Sequence, residues 1–249
     1  MIKDISLEFF KIKHRKVCLT ILSIMFVTFL WALWAPTHKS LNYPEQDWMA
    51  LFYNISTLNC IVMPILIAVT ASKLVDIEHK GNTLKLLKTL EGGCRLFNSK
   101  FICGILLMIF TTIIQGISMI ALACINGYTS VPYGYFIYFI LYTLLINVTL
   151  FLLQMILSFQ FVNQMIALVI SIAGSFLELF SLFFGGIISK IIFWGYYALL
   201  SPVRMDWNAS SRAVNYYWAP IPLSGIITII LLLTILYVTG QKLFRLKEE

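Results

Sequence analysis

Between two strongly apolar halves lies "DIEHKGNTLKLLKTLEGGCRLFNSK", Asp76 to Lys100, the one long charged stretch of the chain. Its position decides the fold. Of 249 residues, 60% are hydrophobic and only 12% charged, well outside the range of an ordinary soluble domain. A hydrocarbon core about 30 Å thick takes roughly 20 apolar residues per helical span. Two candidate spans of that length precede the charged stretch, at 17–36 and 51–74, and four follow it, at 101–125, 134–159, 164–189 and 220–240. Their unbroken Leu, Ile and Phe runs, without the alternation and turn spacing of outer-membrane strands, argue for helices. The expected fold is an all-α polytopic membrane protein, one transmembrane domain of six spans over residues 1–249.

Sidedness follows from the basic residues, which short cytoplasmic loops hold in excess. Fourteen of the eighteen Lys and Arg fall in the amino-terminal segment, between Lys73 and Lys100, or in the tail. With six spans these three segments share one side, so both termini are expected in the cytoplasm. Lys39, Lys190, Arg204 and Arg212 fall outside, and all six tryptophans are expected at or beyond the outer interface. The first span has too long an apolar run, and no small-x-small site, for a cleaved signal peptide. The net charge of +7 is accounted for by this topology and by anionic membrane lipid, without nucleic acid. The five cysteines show no metal-ligand or CxxC spacing.

Little lies outside the expected spans. Residues 1–16 place Ile2, Ile5, Phe9 and Ile12 on one helical face and Asp4, Glu8, Lys11 and Arg15 on the other. Such a helix suits the inner membrane surface. In the opening stretch, Asn82 is a plausible N-cap for a helix from Thr83 to Leu90, with Leu84, Leu87 and Leu90 along one side and Lys85 and Lys88 along another. A two-sided helix held between two spans can dock a soluble partner; the competing reading is a solvated loop. The outer segment 190–219 contains "IIFWGYYALL", too short to span and read as re-entrant or interfacial. Trp194, Tyr197, Arg204 and Trp207 are its outer-gate candidates, against a plain aromatic belt.

Polar residues within the spans must face protein or water. Asn147 and Gln154 lie on a stripe of the fourth span, and Ser171, Ser175 and Glu178 on one of the fifth. They are either interhelical hydrogen-bonding groups or the lining of a wetted substrate path. Glu178 is the only ionisable residue near the middle of any span, where a charge costs roughly 2.5–3.5 kcal/mol. Three readings stand: neutral helix glue, a pair with a cation of a partner subunit, or a contact with a cationic peptide. No catalytic or metal-binding constellation accompanies it, so an intramembrane enzyme is not expected.

The run "IEHKGNTLKLLKTLEGGCRLFNSKF" (acidic residue, short amphipathic helix, turn, basic residue, then Lys at the start of the third span) resembles the cytoplasmic coupling segment of type-2 ABC exporter permeases. The overall plan is similar too: an amphipathic leading helix, six spans, and an aromatic outer segment before the last. More narrowly, "SPVRMDWNASS" and the lysine-rich start resemble permease subunits of lantibiotic self-immunity transporters. Where the family often has proline after the coupling helix, this chain has Glu91, Gly92 and Gly93. The resemblance implies a multi-pass permease in the plasma membrane of a Gram-positive bacterium, expelling a cationic amphipathic peptide. It implies as partners two copies of an ABC ATPase, docked at Thr83, Leu84, Lys85, Leu87, Lys88 and Leu90, and a second related permease. The chain has no GxxxxGK[ST] phosphate loop, so ATP and Mg are expected on the ATPase and no cofactor on this chain. The alternatives are a type-2 ABC permease for a drug, ion or glycan, and a membrane sensor that does not transport.

Overall fold

The structure, a computed structural model, describes residues 2–34, 44–81, 93–184, 192–208 and 213–246. Six long helices occur where the sequence places spans. They are α2 (Val17–Trp34), α3 (Pro44–Lys80), α4 (Gly93–Asn126), α5 (Tyr133–Gln160), α6 (Gln164–Phe184) and α8 (Leu223–Leu246), preceded by α1 (Ile2–His14). The short α7 (Tyr196–Leu199) continues a 3-10 turn, Phe193–Gly195, and leads into strands β1 (Val203–Asn208) and β2 (Ala213–Trp218). Among the described residues five helices, α2, α3, α4, α5 and α8, are long and apolar enough to cross a membrane, and α6 is a shorter apolar helix over Gln164–Phe180. This is a multi-pass helical membrane protein.

The central helix is α3, which packs against α2, α4, α5, α6 and the hairpin. Its 37 residues make it roughly 55 Å long, well beyond the hydrocarbon thickness, so charged residues at its ends clear the apolar layer. The α4 helix closes with a left-handed Gly127 (φ 68°), and Tyr128 N–H and Gly127 N–H reach back to Ala123 O and Cys124 O at 2.9 and 3.1 Å. Glycine takes this conformation without a Cβ penalty, which is why the helix stops there. Asn163 opens α6, its side-chain oxygen accepting from Met165 N–H at 3.1 Å.

One end of the bundle gathers α1, the carboxyl ends of α3 and α8, and the start of α4. Lys100 of α4 reaches Glu8 of α1 and Glu78 of α3, while Tyr237 and Gln241 of α8 reach Asn98 of α4. The amino terminus, the chain on either side of residues 82–92 and the start of the tail therefore share one end, as the basic-residue pattern anticipates. The charged face of α1 read from the sequence meets charges on α3 and α4 through Glu8 and Lys11, while Ile12 of its apolar face is buried in the core.

The other end carries the main departure from an all-α fold. Residues 203–208 and 213–218 pair as an antiparallel hairpin, with Val203 opposite Trp218 and Trp207 opposite Val214. Alternating large residues in "VRMDW" and "VNYYW" suit a half-covered ribbon, a pattern that an aromatic-belt reading does not register. Trp218 stacks on Tyr135 with ring centres 3.8 Å apart and meets Phe52 edge-on at 5.7 Å. Gln46, near the start of α3, grips the ribbon's edge: its amide donates to Tyr216 O at 3.0 Å and accepts from Tyr216 N–H at 3.2 Å. Trp48 lies at this end too. It is 2% exposed, with its indole N–H donated to Thr129 O at 2.9 Å, so it anchors the interior of this end.

Candidate functional site

Two polar assemblies stand out, one at each level of the bundle. The first is a ring of four buried or half-buried charges. Lys100, with no exposed surface, places Nζ 2.7 Å from Glu8 Oε2, 2.8 Å from Glu78 Oε2 and 3.0 Å from Leu74 O. The contacts to Glu8 and Leu74 are hydrogen bonds, and the Glu78 carboxylate adds a close ion pair. Lys11 closes the ring from α1, 2.7 Å from Glu8 Oε1 and 3.0 Å from Glu78 Oε1. The ring is neutral as a whole, which is what lets it be buried: two carboxylates are each shared by two ammonium groups. Burial pulls the Lys11 pKa down, but the hydrogen bond and charge of Glu8, joined by Glu78, outweigh it, and the net shift is upward.

Around the ring, further contacts lock the same end. Asp76 pairs with Lys80 at 2.7 Å and Arg15 at 3.6 Å, and Lys73 holds the Thr20 hydroxyl of α2. His79 Nε2 lies 3.1 Å from Ser158 O, a carbonyl that can only accept, so this nitrogen carries the proton. The start of α4 is the common member. Within Leu96 to Lys100 it meets α1 and α3 through Lys100, and α8 through Asn98, which accepts from Tyr237 and Gln241 at 3.0 Å each. Phe97 adds ring contacts with Tyr237 at 6.1 Å and Phe244 at 5.3 Å. This hub lies directly after residues 82–92. The proposed docking residues Thr83, Leu84, Lys85, Leu87, Lys88 and Leu90 lie outside the described residues.

The second assembly is a polar lattice in the bundle's interior. Asn147 donates to Thr112 at 3.1 Å and accepts from Tyr197 at 2.5 Å, Gln115 donates to Asn59 at 2.6 Å, and Ser56 lies 3.0 Å from the Tyr142 hydroxyl. On α6, Ser171 and Ser175 donate to Pro64 O and Ile61 O at 2.6 and 3.3 Å. Pro64 lacks an N–H and so removes one bond from the ladder of α3, and both serines dock on the carbonyls of the turn that contains it. Glu178 has no exposed surface, and the Cys60 thiol and the Ala198 N–H face its carboxyl.

This geometry sorts the residues singled out in the sequence. Asn147, Ser171, Ser175 and Glu178 are buried and engaged by neighbouring helices of the same chain, and Gln154 is buried on α5. Of the four gate candidates, Arg204 and Trp207 are exposed on the hairpin, whereas Tyr197 is fully buried against Asn147. Trp194 packs flat on α6 at Gly174, where a Cβ would come within 2.4 Å of its ring, so only glycine admits it. Missing from the sequence reading are Lys100, Glu8 and Glu78 as one unit. The available signal was a lysine and two glutamates each set among apolar neighbours.

A family model for ABC-2 family transporter protein matches residues 5–178, and the chain belongs to that family. No curated protein matches it. The matched region contains α1 from Ile5 onward, the charge ring and the chain through Glu178, and stops short of the hairpin.

Two substitutions probe the assemblies. Lys100→Met leaves two facing carboxylates with one cation and is expected to lower stability by about 3–5 kcal/mol, most of it regained in Lys100→Met/Glu8→Gln, as read by thermal unfolding in lipid. Glu178→Gln keeps shape and hydrogen-bonding capacity and is expected to leave folding and assembly near normal, whereas Glu178→Ala weakens them by about 1 kcal/mol. Loss of transport in the Gln variant with assembly intact would assign Glu178 a charge-dependent role.

Proposed function

We propose that the chain is a permease subunit of an ABC exporter whose ATPase docks on residues 83–90, and that the transporter clears a cationic amphipathic peptide from the membrane. Family membership brings the association with an ABC ATPase; the docking position and the substrate are our reading. The observation that carries it is the hub at Leu96 to Lys100. A force applied to the segment between α3 and α4 meets no slack there, because the next helical turns are already fixed to α1, α3 and α8. ATP-driven motion of a docked partner would then tilt α3 and α4 together with α1 rather than flex a loop.

Several further features fit this reading. With α6 as a sixth crossing, the termini and residues 82–92 lie in the cytoplasm and the hairpin lies outside. The complete exporter would pair this chain with a second, related permease and two ATPases in a Gram-positive plasma membrane, ATP and Mg residing on the ATPases. For the substrate, the support is the resemblance to lantibiotic-immunity permeases and the form of the hairpin. Its covered face runs from Val203 and Trp218 out to Met205, Trp207 and Val214, which are 42%, 55% and 38% exposed. That apolar overhang, with Arg204 and Asp206 on the opposite face, offers an amphipathic peptide a surface at the outer leaflet.

Replacing Leu87 with Asp puts a charge on the apolar side of the proposed docking helix. The variant is expected to reach the membrane at normal level, lose the co-purifying ATPase and lose peptide resistance. Recovery of the ATPase at wild-type yield would contradict docking at this segment.

A further inference from the structure

We propose that the elbow between α1 and α2 is a binding site for one anionic phospholipid of the leaflet in which α1 lies. The chain turns there through Lys16, a non-glycine residue with φ 51°, whose carbonyl accepts the first bonds of α2 from Thr20 N–H at 3.0 Å and the Thr20 hydroxyl at 3.2 Å. The turn opens a groove of about 620 Å³. Its walls include Phe9, Phe10, Val17 and Leu19, and its rim carries Lys13 and Lys16.

Three observations identify the occupant. First, α2 has the length and hydropathy of a membrane span and α1 does not, so their junction lies at the depth of lipid headgroups. Second, the walls are apolar and open to the surroundings, with Phe10 64% and Leu19 60% exposed, as an acyl chain requires. Third, the charge is unbalanced in one direction. Among the described residues, the carboxylates nearby are committed elsewhere, Glu8 and Glu78 to Lys11 and Lys100, and Asp76 to Lys80 and Arg15. Among the described residues Lys13 and Lys16 have no ion pair, and both are exposed at the groove. An apolar slot with two uncommitted ammonium groups at headgroup level complements a phosphodiester on an acyl chain. A zwitterionic lipid gains less, because its own cation competes for the phosphate. The lysines' aliphatic stems can follow the groove while their charged ends stay at the polar boundary.

The site is tested on the full chain in neutral detergent, offered equal amounts of phosphatidylglycerol and phosphatidylcholine with identical acyl chains, the retained lipid being counted by native mass spectrometry. One phosphatidylglycerol is expected to remain bound in preference to phosphatidylcholine. Lys13→Gln and Lys16→Gln each lower that preference about fivefold, the effect of one basic residue near an anionic surface. Ser6→Trp fills the groove without changing charge and removes the bound lipid; Lys242→Gln removes a distant positive charge and changes nothing. Unfolding temperatures equal to wild type in phosphatidylcholine bilayers establish that each variant is folded. Equal effects of Lys242→Gln and Lys13→Gln, or retention of lipid by the Ser6→Trp protein, would overturn the site in favour of diffuse attraction. Displacement of the lipid by inorganic phosphate alone would overturn it in favour of a simple anion site.

Discussion

An ammonium group with no access to water cannot exist in a fold unless other groups replace its hydration, and Lys100 imposes that requirement on three elements at once. The lysine is carried by α4, and its partners come from α1 and α3. Removing one partner strands a charge in a setting of low polarity, so the elements are held to one relative position more tightly than apolar packing would hold them. Apolar helices in lipid gain little from burying one another, since lipid tails are equally apolar, and their relative placement must come from packing detail and polar contacts. The ring supplies it at one end, and the lattice around Asn59, Asn147 and Ser171 supplies it through the interior.

The two polar assemblies divide the bundle functionally. At the ring end, the contacts link the helices flanking residues 82–92 to the leading helix and the last helix, as the proposed coupling to an ATPase requires. At the opposite end, α7 and the hairpin are held to the helices by Tyr197, Trp218 and the two-bond grip of Gln46. Between them lies Pro64, where the central helix lacks a backbone donor and hydroxyls of α6 bond to the carbonyls of Pro64 and Ile61. A helix with such a break is a natural place for the two ends to shift relative to each other.

Much of this was legible in the chain. Apolar runs of sufficient length marked each long helix, because in hydrocarbon a helix must satisfy its own backbone and leaves a simple signature. The excess of Lys and Arg grouped three segments at one end, and the contacts of Lys100 and Asn98 place them together. Glu178 was visible as a buried acid. What escaped was long-range pairing: Glu8 and Lys100 are 92 positions apart, and nothing local distinguishes a lysine that points into the protein from one that sets topology. The same gap hid the partners of α1's charged face, since amphipathicity defines two faces but not which residues of other helices they meet. The hairpin was missed because its alternating aromatic residues also fit an interfacial belt, and the interior places of Trp194 and Tyr197 depend on Gly174 and Asn147, which no local pattern links to them.

The central claim is that α1 is fixed to α3 and α4 by the charge ring and moves with them. Native-state hydrogen exchange of the full chain in lipid nanodiscs tests it directly. If the claim holds, the amides of Leu7 to Ile12 open at the same rate as those of Leu74 to Glu78 and Phe97 to Lys100, and Lys100→Gln releases the first group by more than tenfold. Fast exchange of Leu7 to Ile12 in the unaltered protein, independent of the other two segments, would contradict it.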